Sequence, residues 1–147
     1  MMLFLDKGLT VTKDSWLETG HINRAMQILK LQHPEIGGLF CSSLGTAQEF
    51  PKATGQQWMQ IVHDGTNHWM LVAKGFALPQ HVLLYDSSPG VHVKKHVLGC
   101  MKSLLQPPSA KMTYVVRGCQ RQSNGFDCGV FSIAFATSLA NGEDPSS

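Results

Sequence analysis

Charge is scarce in this sequence: Asp, Glu, Lys and Arg together make up 15% of its 147 residues. A disordered polar tail or a coiled coil needs far more, so both are excluded. Twelve basic residues face ten acidic ones, and apart from Lys94-Lys95 they are scattered, which leaves no electrostatic footprint for nucleic acid. Cysteine is also sparse. Cys41, Cys100, Cys119 and Cys128 form no CxxC pair and no dense framework, the pattern of free thiols in a reducing compartment rather than of a secreted disulfide scaffold. No apolar run approaches the ~20 residues of a membrane helix. The opening MMLFLDKG is too short an apolar stretch, with no basic flank before it, to read as a secretion signal. Repeats and low-complexity stretches are missing too. What remains is a chain with 43% hydrophobic residues, enough for one core, expected to be a single domain over 1–147, soluble, and located in the cytoplasm or nucleus, with no membrane partner.

Periodicity changes along the chain. From Thr19 to Gln32 the apolar residues Ile22, Met26 and Leu29 recur at helical spacing and Pro34 stops the pattern. Residues 35–57, rich in Gly and Pro, read as a loop with a short helix around Leu44 to Phe50. Two runs of β-formers, Trp58 to His63 and His68 to Lys74, flank the hairpin turn Asp64-Gly65-Thr66-Asn67, and His81 to Asp86 supplies a third strand. Helical spacing returns from Val93 to Gln106, a fourth strand runs from Lys111 to Arg117, and an almost wholly apolar helix spans Cys128 to Ala140. The order predicts an α+β domain.

Cys128 opens that last helix, where unpaired N–H groups and the helix dipole favour a thiolate. Gly125 and Gly129 nearby allow close approach of backbone or substrate, which a packing cysteine does not need. A nucleophilic thiolate needs a base. His68 opens one strand and Asp86 closes the next; a turn centred near Ala77 would set them opposite one another with Cβ atoms about 5 Å apart, close enough for an Asp-oriented imidazole. Acyl transfer also needs an oxyanion donor. Gln122, six residues before Cys128 in a polar loop, suits that task beside the Cys128 N–H, and Gln120 competes with it.

The block Gln122-Ser-Asn-Gly-Phe-Asp-Cys128-Gly129, the pair His68-Trp69 and Asp86 after an apolar strand resemble, in that order, the catalytic blocks of the ubiquitin-like protein proteases. These are SUMO-deconjugating cysteine peptidases with the adenovirus protease as a distant relative. Trp16-Leu17 resembles the family's block whose indole roofs a tunnel for a diglycine C-terminus, although Thr19 stands where an acidic residue is frequent. Among its branches, the protease domains of transposon-derived and large multidomain animal proteins are the most similar. The resemblance spans residues 14–145. It implies a papain-like fold with a central antiparallel or mixed sheet and Cys128 at the N-terminus of a buried helix, with His68 and Asp86 on the facing sheet. It also implies cleavage after the C-terminal diglycine of ubiquitin or a SUMO-type modifier, with Trp16 and Trp69 walling the glycine slot and no cofactor.

Three other readings compete. His92 and His96, four apart near a helix start, could share a zinc ion, but no Cys or carboxylate pair with ligand spacing accompanies them, so no metal is expected. An acyltransferase can use the same fold and the same His, acid and Cys set. A protease of viral or transposon type would instead process a polyprotein.

Overall fold

The computed structural model describes residues 3–6, 9–11, 18–90, 92–109, 111–121 and 127–146, the first two stretches by their backbone alone. There, β1 (Leu3–Asp6) and β2 (Leu9–Val11) pair as an antiparallel ribbon. The main sheet has five strands in sequential order: β3 (Gly37–Gly38), β4 (Trp58–His63), β5 (Trp69–Lys74), β6 (Val82–Tyr85) and β7 (Tyr114–Arg117). Its centre, β4 to β6, is an antiparallel meander, and both outer strands run parallel to their neighbours. The sheet is therefore mixed, in an α+β chain.

Side chains alternate across the sheet because successive residues of a strand point to opposite faces. Met59, Ile61, Trp69, Leu71, Ala73, Leu83 and Tyr85 meet α1 (Thr19–Gln32) and α3 (Cys128–Ala140) on one side. On the other side Trp58, Val62, Met70, Val72, Val82 and Leu84 pack on Val97, Met101 and Leu104 of α2 (Lys95–Leu105). α2 ends at Gln106, which takes a left-handed conformation. α3 buries Cys128, Gly129, Ser132, Phe135, Ala136 and Leu139, whereas Ala134 and Thr137 on its other side are exposed. Its uniformly apolar sequence thus covers the sheet with one face only.

Two local readings are corrected by the structure. The segment 35–57 is not all loop, because Gly37-Gly38 adds a parallel strand to the edge of β4. A Cβ at Gly38, where φ is +73°, would stand 2.2 Å from the Met59 carbonyl oxygen, so only glycine permits this approach. The short helix lies earlier than Leu44 to Phe50, as a single 3₁₀ turn at Ser42–Gly45; Gln48, at a φ of +57°, does not continue it. The loop before that turn is tied to the sheet by the fully buried Gln60. Its Oε1 accepts the Phe40 N–H at 2.7 Å and its Nε2 donates to the Phe40 carbonyl at 2.9 Å.

Candidate active site

Cys128 is the first residue of α3 and is fully buried where that helix meets the end of β5. The Trp69 N–H donates to its Sγ at 3.4 Å, and the Asn67 carbonyl oxygen lies 4.0 Å from the same atom. Both peptides flank His68. The imidazole Nε2 of His68 stands 2.5 Å from Asp86 Oδ1, an atom that also accepts the Ser88 N–H at 2.9 Å. With Nε2 engaged by Asp86, Nδ1 is the ring nitrogen left for the thiol.

The sequence expectation set His68 directly across from Asp86. The ladder itself pairs Leu71 with Tyr85 and Val72 with Leu84, so its continuation brings Met70 opposite Asp86. The turn is centred one residue later than Ala77. Because the side-chain period is two, this shift leaves positions 68 and 86 on a shared face as diagonal neighbours, which long side chains still bridge.

Burial of the His68 ring works against its charge, but hydrogen bonds to Asp86 and Cys128 and the Asp86 charge outweigh it and push the imidazole up to about 10. His63, on the adjacent strand, moves the other way: burial lowers it, and its ring lies edge-on to Trp69 with centroids 4.7 Å apart. Cys100 is pushed up to about 11 by burial, and Cys119 is also raised by burial. Cys41 is exposed and lowered, chiefly by the Ser43 hydroxyl.

Trp69 has two neighbourhoods. It belongs to the core against α1 and α3, and it also lines an open groove with Glu18, Thr19, Ser42, Thr46 and Asn67. That groove reaches the peptides that touch the thiol. Trp16 and Gln122 lie outside the described residues. Gln120 is exposed and lines a different groove, with Val130, Phe131 and Ala134 on the outer side of α3. His96 Nδ1 is 3.3 Å from the Gln48 side-chain nitrogen.

One participant escaped the sequence reading. Asp64 was legible only as a turn residue, yet its side chain is 4% exposed and carries an ion pair with Lys94 at 2.9 Å. An Asp at the head of a turn with Thr two residues on signals an Asx turn. Nothing local signals a lysine thirty positions later.

Comparison with known proteins places this geometry. A family model described as the Ulp1 protease family, C-terminal catalytic domain, matches residues 59–147. No curated protein matches the chain. Among solved structures, the SUMO protease Ulp1 with its catalytic cysteine oxidised to a sulfinic acid superposes with a TM-score of 0.70 at 13% identity, over 91% of this chain and 70% of that one. The C-terminal Ulp1 protease domain in complex with Smt3, the yeast ortholog of SUMO, gives 0.62 at 14% identity over 99% and 78%. The Chaetomium thermophilum Ulp1-like SUMO protease catalytic domain gives 0.55 at 23% over 88% and 64%. At these identities the superpositions establish the shared fold, which is that of the papain-like Ulp1 proteases.

Proposed function

This chain belongs to the Ulp1 protease family and is a cysteine protease, and from that premise we propose that it hydrolyses the bond after the C-terminal diglycine of a ubiquitin-like modifier. In this reading the whole of 1–147 is one catalytic domain. Cys128 is the nucleophile, His68 the base and Asp86 the residue that orients the imidazole. The observation that carries it is the placement of His68, whose ring is held by Asp86 while both adjoining peptides face the Cys128 sulfur.

His68 takes the thiol proton or holds the thiolate as an ion pair, and the sulfur attacks the carbonyl of the terminal glycine. The Cys128 N–H and the Gln122 side chain stabilise the oxyanion. His68 then protonates the departing lysine amine, leaving a thioester that water hydrolyses to free enzyme and a carboxylate. A slot between Trp16 and Trp69 admits glycine and rejects larger side chains. The groove lined by Trp69 and Asn67 supports this path for an extended tail. In this reading the enzyme acts inside the cell, in the cytoplasm or the nucleus.

The test is a panel of modifier probes with C-terminal electrophiles, ubiquitin and SUMO among them. One probe should label the wild-type chain at Cys128 and none should label Cys128→Ala. Failure of every probe, with acetyl transfer from acetyl-CoA to an acceptor protein, would make the chain an acyltransferase and overturn the reading. Cleavage of a polyprotein junction without labelling by any modifier would overturn the substrate assignment alone.

A further inference from the structure

The turn between β4 and β5 is built on a buried carboxylate, which a short hairpin does not require. Asp64 Oδ1 accepts the backbone N–H groups of Thr66 at 2.8 Å, Asn67 at 3.1 Å and His68 at 3.2 Å, and the Thr66 hydroxyl at 2.9 Å. The Asp64 N–H donates to the His68 carbonyl at 2.8 Å. Both main-chain polar atoms of His68 are therefore bonded to one residue. The other carboxylate oxygen, Oδ2, receives Lys94 Nζ at 2.9 Å, and the same ammonium reaches the Thr66 hydroxyl at 2.8 Å. Lys94 is the N-cap of α2, so the turn is fastened to the helix on the far face of the sheet.

Burial alone would raise the Asp64 carboxyl, but Lys94 and the turn N–H groups hold it well below the usual carboxylate range. Such a charged acceptor makes stronger hydrogen bonds than a neutral one would.

We propose that Asp64, clamped by Lys94, is the positioning residue of this site: it fixes the His68 peptide so that the imidazole reaches Asp86 and Cys128 together. The proposal rests on the reading of His68 as the partner of the thiol. Its physical content is geometric. The ring must meet two groups on different elements, Asp86 after β6 and Cys128 on α3, and a displacement of about 1 Å can cost roughly a hundredfold in rate.

The experiment uses the full chain and a probe indifferent to modifier identity, the rate of Cys128 alkylation by iodoacetamide at pH 7, read by mass spectrometry. It is paired with the downfield proton resonance of the His68 imidazole N–H held by Asp86. Asp64→Ala should slow alkylation by about tenfold or more and broaden or remove that resonance while unfolding stays cooperative. Asp64→Asn keeps an acceptor for the turn N–H groups but turns an amide NH₂ toward Lys94, so it should also lose rate. Adding Lys94→Met removes that clash and should restore the rate to within about threefold of wild type, a rescue that simple loss of stability would not produce.

A folded Asp64→Ala chain with wild-type rate and an intact resonance would overturn the clamp. Should Asp64→Ala fail to fold, equal rates for Asp64→Asn and the double variant would overturn it instead. His68→Ala separates the two levels: if it alkylates as fast as wild type, the role of His68 fails, and the resonance in the Asp64 variants still decides the clamp.

Discussion

Trp69 donates its backbone N–H to the Cys128 sulfur across 3.4 Å, so the thiol is tied to the peptide that follows His68. On the proposed roles of His68 and Cys128, a distortion of the β4–β5 turn displaces the base relative to the nucleophile.

The raised imidazole gives a pH dependence of definite sign. His68 ordinarily titrates near 6.5 and is pushed up to about 10 in the fold, so the stability it contributes is fully present below the lower value and fades as pH rises through the higher. Urea unfolding of wild type and His68→Gln at pH 6, 8 and 10 should show a stability difference that shrinks steadily. A difference that grows with pH would contradict a charged His68.

His68 and Asp86 should behave as one unit. With the modifier that labels Cys128, His68→Ala is expected to lower kcat on the order of 10³-fold or more, and adding Asp86→Ala should cost little beyond that. Steady-state kinetics of the two single variants and the double variant settle the matter; losses that multiply would mean independent roles.

Gln122 and Trp16 should leave opposite signatures. An amide that meets only the oxyanion stabilises the transition state, so Gln122→Ala should reduce kcat by roughly 10²- to 10³-fold with KM unchanged. Trp16→Ala should instead raise KM and relax the demand for glycine before the scissile bond. Full turnover in Gln122→Ala with loss in Gln120→Ala would move the oxyanion role to Gln120, against its place on the outer side of α3.

The remaining thiols form a graded set. In Cys128→Ala, native-state alkylation should reach the exposed Cys41 first, since Ser43 and Asn23 lower its pKa, and spare Cys100, which burial pushes up to about 11, until the chain unfolds. Peptide mapping after timed alkylation checks the order.

Much of this was legible in the sequence because the signals were local. The bounds of Thr19–Gln32, Trp58–His63 and Cys128–Ala140 follow from periodicity and flanking breakers, and the structure reproduces them. Gly37-Gly38 carries no side chain and so no alternation, which hid a strand recognisable only through the backbone of β4. The centre of the β5–β6 turn was misplaced by one residue because that turn offers no two-residue signature; this moves the register by two, a full strand period, so the pairing of faces survived. The Asp64–Lys94 pair joins a turn to a helix cap thirty positions away, and no spacing rule reaches that far.

The order in which the parts of the site can come into being also follows from the fold. The meander β4 to β6 is made of neighbours in sequence and pairs through short loop closures, the class of contact that forms fastest. It carries His68 and Asp86. Cys128 comes from a helix 59 positions beyond Trp69 and can dock only once that sheet face exists to receive it. On a chain emerging from its N-terminus, the half that carries His68 and Asp86 is laid down before Cys128 can join it. With the proposed roles, hydrolytic competence is then a property of the finished tertiary structure, and partly folded chains pass through biosynthesis without a working nucleophile.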